Sequence, residues 1–151
     1  MKSLKGDLLE LAASGKFDVL VHGCNCQHTM GAGIAKQVKA RFPSAFQADL
    51  ATPKGATKLG TISTATVSLP NHTLVVVNGY TQVHWRGAGT KVDYQALRTV
   101  MSLVKAHFSG RRIGYPKIGA GLAGGDWALI EAIIKEELDG EDHTLVEYVP
   151  Q

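Results

Sequence analysis

The chain has 151 residues, of which 44% are hydrophobic and 19% are charged, and its formal net charge is +3. This length suits one domain with its own core, and the composition is that of a compact protein rather than a disordered one. So small a positive excess does not by itself indicate a nucleic-acid-binding protein, because a small anionic ligand would fit it equally well.

Neither a membrane span nor a secretory signal is apparent. No apolar run approaches the roughly 20 residues needed to cross a bilayer. The amino-terminal segment contains a lysine, but Asp7 and Glu10 interrupt any apolar stretch that would follow it. Cys24 and Cys26 lie one residue apart and cannot form a disulfide framework, which suits a reducing compartment. We therefore expect a cytoplasmic protein without a membrane partner.

The first half of the chain contains three predicted strands and one helix. A valine-rich apolar run closed by glycine predicts a buried strand over 17–23. Apolar residues at i, i+4 and i+8 predict a helix over 33–42, which Pro43 ends. Two β-rich runs, 61–69 and 73–81, flank a Pro-Asn-His turn and predict a hairpin.

The second half alternates helices with strands. Asp93 is the expected N-cap of a helix to about His107, followed by a short strand over 111–116. A second helix over 127–138 precedes a final strand over 144–149. The residues expected to face the core on these helices are Leu97, Val100, Met101, Val104, Trp127, Ile130, Ile134 and Leu138.

This alternation, with one hairpin in the middle, predicts an α/β sandwich around a mixed sheet. There are no internal repeats, low-complexity tracts or linkers. We expect one domain over 1–151.

The segment His22–Val38, HGCNCQHTMGAGIAKQV, has several interpretations. Its alternating His22, Cys24, Cys26 and His28 would lie on one face of a strand but spread over about 20 Å, too far for one zinc ion unless the chain bends. The two cysteines lack the C-x-x-C spacing of redox pairs. We therefore expect no metal, and expect Cys24 and Cys26 to be small buried residues.

The glycines of this segment match no complete nucleotide motif. Gly31 and Gly33 begin a G-x-G pattern, but Lys36 stands where a third glycine is required, and no P-loop is present. A strand that leads through glycines into a helix is nevertheless suited to binding an anion. An ordinary glycine-rich turn is the alternative.

A second glycine-rich segment, Tyr115–Trp127, repeats the order of strand, glycine-rich loop and helix. Two such loops at one edge of a sheet suit a diphosphate better than a single phosphate. They predict a nucleotide-like ligand across the carboxyl ends of the strands.

Several segments, in this order, carry a resemblance to a known family. They are Gly6-Asp7-Leu8, GCNCQHTMGAGIAKQV, VNGYTQ, DYQAL and PKIGAGLAGGDW. Together they resemble a macrodomain, the ADP-ribose-binding module, and especially the branch of "Appr-1-p processing" proteins and the human ADP-ribosyl-glutamate hydrolase. The resemblance runs from Lys5 to Tyr148 and implies a three-layer α/β/α sandwich around a mixed, largely parallel sheet.

The resemblance also implies a set of substrate-binding residues. Asp7 would bind the adenine amino group, although it also suits a helix N-cap. Asn25 would contact the distal ribose, although a turn asparagine is the alternative. Tyr148 would line the adenine site, although tyrosine on a final strand is often core. The remaining predicted substrate-binding residues are Leu8, Met30, Gly31, Ala32, Gly33, Ile34, Gly119, Ala120, Gly121, Leu122, Ala123 and Gly124.

The catalytic groups of the glutamate hydrolase are not reproduced. Its lysine after the middle strand has no counterpart, because Lys91 lies well beyond that position, and its loop aspartate is replaced by Ala123. Asp126 is the remaining candidate base, with helix capping as the alternative. His28 and His84 are loop histidines, a residue type frequent in acid–base catalysis, but the sequence places neither of them at the ligand. The segment His84-Trp85-Arg86 is a candidate to line or cover the ligand, with an exposed, variable loop as the alternative.

Three functions follow from these residues. The first is hydrolysis, either of an ADP-ribosyl linkage to protein or nucleic acid or of ADP-ribose 1''-phosphate. The second is a reader that binds ADP-ribose without chemistry. The third, nucleic-acid binding, rests on basic residues that more simply form solvated faces: Lys36, Lys39, Arg41, Arg111 and Arg112. We expect a monomer that binds ADP-ribose or an ADP-ribosylated substrate and requires no cofactor.

Overall fold

A computed structural model describes residues 1–87 and 89–149. The strands are β1 (Lys2–Gly6), β2 (Val19–Asn25), β3 (Ile62–Ser68), β4 (Thr73–Gln82), β5 (Ile113–Tyr115) and β6 (His143–Tyr148). The helices are α1 (Leu8–Ala13), α2 (Gly33–Arg41), α3 (Pro43–Leu50), α4 (Tyr94–Phe108) and α5 (Trp127–Glu137), with a 3₁₀ turn at Ala56–Lys58.

The six strands form one mixed, largely parallel sheet in the order β1-β6-β5-β2-β4-β3. Only the β3–β4 pair is antiparallel among these strands, which confirms the predicted hairpin. The parallel strands therefore all end at the same edge of the sheet. The loops that follow them meet there, as loops do at the carboxyl ends of parallel strands.

Helices cover both faces of the sheet, so the predicted three-layer architecture is confirmed. Alternate residues of β2 point to opposite sides, with Val19 and Val21 on one face and Leu20 on the other. The valines pack against α4 and α5, and Leu20 packs against α1, α2 and α3. No helix within the described ranges is long and apolar enough to cross a membrane.

The helices of the second half follow their predicted patterns closely. Asp93 caps α4, where its side chain accepts a hydrogen bond from the Ala96 N–H (2.9 Å). Leu138, predicted to face inward, is buried just past the end of α5, whereas Trp127 is only partly buried against the core.

Strand β1 and helix α3 were not predicted, and the bounds predicted for β2 were wrong. Edge strand β1 has no hydrophobic pattern from which it could be predicted, because its residues, KSLKG, are mostly polar and exposed. Pro43 ends α2, as expected, but it also occupies the first turn of α3, where a missing N–H costs nothing. The strand predicted over 17–23 instead begins at Val19 and continues through Gly23 to Asn25.

Candidate functional site

A cavity of about 870 Å³ lies along the carboxyl ends of the parallel strands. Most of the predicted substrate-binding residues line it: Asp7, Leu8, Asn25, Gly31, Ala32, Gly33, Ile34, Gly119, Ala120, Gly121, Leu122, Ala123 and Tyr148. Met30 and Gly124 do not. Met30 is buried with Cys24, Cys26 and Tyr80, and it anchors the first loop from beneath. The Gly124 N–H donates to the Gly121 carbonyl (3.0 Å) within the second loop.

The first glycine loop leads into an uncapped helix. The N-cap position of α2 is occupied by Ala32, which makes no side-chain cap hydrogen bond. Helices α1, α4 and α5, in contrast, are capped by aspartates: Asp7, Asp93 and Asp126. The Lys36 N–H donates to the Ala32 carbonyl (3.3 Å), so the N–H groups ahead of it precede the helical ladder. The start of α2 therefore presents main-chain donors and a positive dipole end to the cavity.

The second loop depends on glycine for a different reason. Gly119 has a φ of +76°, and a Cβ there would lie 2.8 Å from Val92 Cγ2. A Cβ on Gly125 would lie 2.7 Å from the Gly119 carbonyl oxygen. Gly121, in contrast, lines the cavity with nothing within 4 Å of an added Cβ. The turn is tightly packed at its base and open towards the cavity.

The two loops lie close to each other. A Cβ on Gly33, whose φ is +59°, would lie 3.3 Å from Leu122 Cδ1. Leu122, which is 71% exposed, extends from the second loop to the start of α2, and both Leu122 and Gly33 line the cavity. The predicted convergence of the two loops is therefore present in the fold.

Asp7 and Tyr148 mark one end of the cavity. Strands β1 and β6 are neighbours, with Gly6 paired to Tyr148, so the residues that follow β1 lie beside the end of β6. Asp7 Oδ1 accepts hydrogen bonds from the N–H groups of Leu9 (3.1 Å) and Glu10 (3.2 Å), which confirms the N-cap. Tyr148 is 68% exposed and is not a core residue.

Asn25 and Gln82 mark the other end, where β2 and β4 finish side by side. Asn25 Oδ1 accepts from the Gln27 N–H (2.8 Å), and its Nδ2 donates to the Thr29 carbonyl (3.1 Å). The alternative of a turn asparagine is therefore confirmed, although the residue also lines the cavity. Gln82 Nε2 donates to the His84 carbonyl (2.9 Å).

The remaining catalytic candidates lie outside the cavity lining. Asp126 Oδ1 accepts the Ala128 N–H (3.0 Å), so it caps α5. His28 has a φ of +58°, and its Nε2 donates to the Thr52 carbonyl (2.6 Å). His84 is exposed and does not line the cavity either. The general-base role of Asp126 stays a prediction.

The cysteines and His22 are buried, as the sequence predicted for Cys24 and Cys26. Burial lowers the pKa of His22 to about 4 and raises the pKa of the Cys24 thiol. Cys24 Sγ lies 3.7 Å from the ring nitrogens of His22. Within residues 1–87 and 89–149, no group of three or more His, Cys, Asp or Glu side chains is placed to hold a metal ion.

Several lining residues were not predicted. Lys117 and Glu147 lie beside Tyr148, with 3.9 Å between Nζ and Oε1. Thr81 and Gln82 lie at the opposite end of the cavity. The sequence pointed to them only through the VNGYTQ segment, which contributes to the family resemblance. Trp85, anticipated at the ligand, lines the cavity while 50% exposed.

The chain belongs to the macrodomain family, since the family model "Macro domain" matches residues 21–134. It is 35% identical over 156 aligned residues to an uncharacterized 17.5 kDa protein of Enterobacteria phage T4, covering 99% of this chain and 97% of that protein. It is 30% identical over 130 residues to the DNA ADP-ribosyl glycohydrolase of Mycobacterium tuberculosis. That match covers 83% of this chain and 35% of the enzyme, about a third of its length.

Solved structures agree on the fold. The macrodomain of Mycobacterium tuberculosis DarG superposes with a TM-score of 0.77 at 23% identity, covering 99% of this chain and 97% of that one. Thermosipho africanus DarTG in complex with ADP-ribose gives a TM-score of 0.73 at 16% identity, covering 99% of this chain and 42% of that one. At these identities the likeness concerns the fold.

Proposed function

We propose that the protein binds ADP-ribose in the cavity at the carboxyl ends of its strands. The observation that carries the proposal is the meeting of two glycine loops, one of which leads into the uncapped N-terminus of α2. Unpaired main-chain N–H groups at a helix start bind phosphate oxygens, and a second loop opposite them suits a diphosphate. Membership of the macrodomain family supports the same ligand.

The two ends of the cavity suit the two ends of this ligand. Asp7 and Tyr148 offer a carboxylate acceptor and an exposed aromatic ring, which fit an adenine amino group and an adenine face. Asn25 and Gln82 offer amides, which fit ribose hydroxyls. The diphosphate would then lie between the two glycine loops, which approach each other near Gly33 and Leu122 and both line the cavity.

Binding is tested by thermal unfolding with increasing ADP-ribose and, separately, with adenosine. A ligand that binds only the folded state raises the free energy of unfolding of the protein with the logarithm of the ligand concentration, by about 2.7 kcal/mol when that concentration is 100 times Kd. We expect a concentration-dependent rise with ADP-ribose that adenosine, which lacks the diphosphate, does not reproduce. Equal shifts with both ligands, or none with either, would contradict the role given to the loops.

We further propose that the protein hydrolyses, in this cavity, the linkage between ADP-ribose and a nucleic acid. The relationship to a DNA ADP-ribosyl glycohydrolase supports the reaction. Trp85 supports nucleic acid as the attached group, because its half-exposed ring lies at the cavity and the Arg86 guanidinium carbon lies 4.9 Å from the ring centroid. An aromatic ring beside a guanidinium suits a nucleobase, which stacks, and its phosphate, which is anionic.

A reader without chemistry is the second candidate, and one observation favours it. The charged residues that line the cavity in the described part of the chain are Asp7, Lys117 and Glu147, all towards the Tyr148 end. Hydrolysis at the opposite end would therefore depend on orienting substrate and water through amides, with Asp126 as the predicted base beyond the lining.

Turnover assays separate the two candidates. Purified protein is incubated with an ADP-ribosylated oligonucleotide, an ADP-ribosylated protein and ADP-ribose 1''-phosphate. We expect release of ADP-ribose from the oligonucleotide. Tight binding of ADP-ribose without turnover of any of the three would instead establish a reader.

A further inference from the structure

Strand β4 carries a bulge at the point where it reaches the cavity. The register with β2 pairs Cys24 with Tyr80 and then Asn25 with Gln82, so that Thr81 has no partner on β2. A bulge inserts one extra residue and changes the direction of its side chain, and bulges are frequent beside active sites. Thr81 is therefore positioned by the irregularity and not by regular pleating.

The hydroxyl of Thr81 is buried and unpaired. The residue is 1% exposed, and its Oγ1 is the one buried side-chain nitrogen or oxygen without a hydrogen-bond partner in 1–87 and 89–149. Its main chain, in contrast, is used, because the Thr81 carbonyl accepts the Asp93 N–H (2.7 Å). Leaving a buried hydroxyl unpaired is unfavourable, because no hydrogen bond offsets its loss of water, and a valine of the same shape would avoid this cost.

A glycine on the neighbouring strand makes room for this hydroxyl. A Cβ on Gly23 would lie 2.9 Å from Thr81 Oγ1 and 3.1 Å from Ile118 Cγ2. Any larger residue at position 23 would therefore press against the threonine. Gly23, Thr81 and Ile118 all line the cavity. The local packing keeps a polar group at the cavity wall although no protein group within the described ranges satisfies it.

We infer that Thr81 is a ligand-binding residue whose hydroxyl hydrogen-bonds the distal ribose of ADP-ribose, an inference that rests on the proposed function. Thr81 precedes Gln82 at the end of the cavity opposite Asp7 and Tyr148, where the distal ribose is placed. A hydroxyl both donates and accepts, which suits a sugar hydroxyl. Because Oγ1 is covered in the ligand-free fold, this hydrogen bond requires a change of the Thr81 χ1 rotamer, and strands commonly hold two values of χ1.

The test compares two ligands on Thr81→Val. Calorimetric titration should show ADP-ribose binding weakened about 3- to 10-fold, the value of one hydrogen bond. ADP, which lacks the distal ribose, should bind as it does to the wild type. The ligand-free variant should unfold at the same or a higher temperature, because the substitution removes an unpaired buried hydroxyl. A residue with only a structural role would not combine weaker binding with unchanged stability.

Two further variants complete the comparison. Thr66→Val, on an exposed position of β3, should leave both ligands unaffected. If Thr81→Val does not fold, Thr81→Ser, which keeps the hydroxyl, should bind ADP-ribose more tightly than Thr81→Ala.

Each contrary result has a distinct meaning. Equal ADP-ribose affinity for the wild type and Thr81→Val would overturn the inference and leave the proposed function standing. Equal weakening of ADP and ADP-ribose would overturn the assignment to the distal ribose. No ADP-ribose binding by the folded wild type would overturn the proposed function and the inference with it.

Discussion

Buried histidines should make the protein sensitive to mild acid. His22 is fully buried on β2 with its Nε2 2.7 Å from Asn78 Oδ1, and Asn78 Nδ2 donates to the Ala45 carbonyl (2.9 Å). The His22 Nε2 is therefore the donor of the pair. Burial lowers the pKa of His22 from 6.5 to about 4. Burial also lowers the pKa of His143, whose Nδ1 lies 2.7 Å from the Tyr115 hydroxyl, to about 4.

These pKa values determine the direction and the size of the change in the free energy of unfolding with pH. Between pH 6.5 and 4 the unfolded chain binds a proton at each histidine that the folded chain does not, so the free energy of unfolding falls as the pH falls. Each pKa unit corresponds to about 1.4 kcal/mol. From pH 7 to pH 5, His22 alone should therefore remove about 2 kcal/mol, and His143 acts in the same direction.

Urea unfolding at pH 7, 6 and 5 measures this loss. His22→Gln keeps an amide donor towards Asn78 but does not titrate, so its stability should fall less steeply over this range than that of the wild type. His107→Gln, at an exposed position near the end of α4, is the matched control and should keep the wild-type slope. A wild-type slope for His22→Gln would refute the assignment of the acid sensitivity to this buried ring.

Two further predictions concern the chemistry of the site. Asp126→Asn keeps an N-cap for the Ala128 N–H and removes the carboxylate, so we expect an unchanged melting temperature and a loss of about 100-fold or more in turnover; wild-type turnover would leave Asp126 as a cap alone. Trp85→Ala should weaken binding of an ADP-ribosylated single-stranded oligonucleotide by about 10-fold, the value of one stacked base, and that of ADP-ribose much less. Equal losses for the two ligands in filter-binding competition would argue against base stacking.

Much of the fold could be predicted because local patterns agree with it. The apolar spacing of α4 and α5 and the capping residue Asp93 depend only on neighbours in sequence. The glycine loops were also recognisable, since Gly119 requires a backbone conformation that other residues rarely adopt. Strand β1 could not be predicted in this way because it is an edge strand with little apolar surface.

The functional details of the site depend on contacts between distant segments. The β4 bulge that positions Thr81 is a property of the β2–β4 register, which no local pattern contains. Met30 belongs to the first loop in sequence, but its side chain packs inward against Tyr80. Its position next to the glycines in the sequence therefore led to the wrong prediction that it lines the cavity. Asp126 follows the second loop directly, yet its side chain is turned to the start of α5.

The diphosphate site between the two loops is tested most directly at Gly121. An added side chain has open space there, so Gly121→Glu and Gly121→Gln should both fold, and they differ only in charge. Calorimetric titration with ADP-ribose should show saturable binding to the wild type, weaker binding to Gly121→Gln and none to Gly121→Glu, because a carboxylate repels the diphosphate. No binding to the folded wild type, or equal binding to all three proteins, would contradict a diphosphate held between these loops.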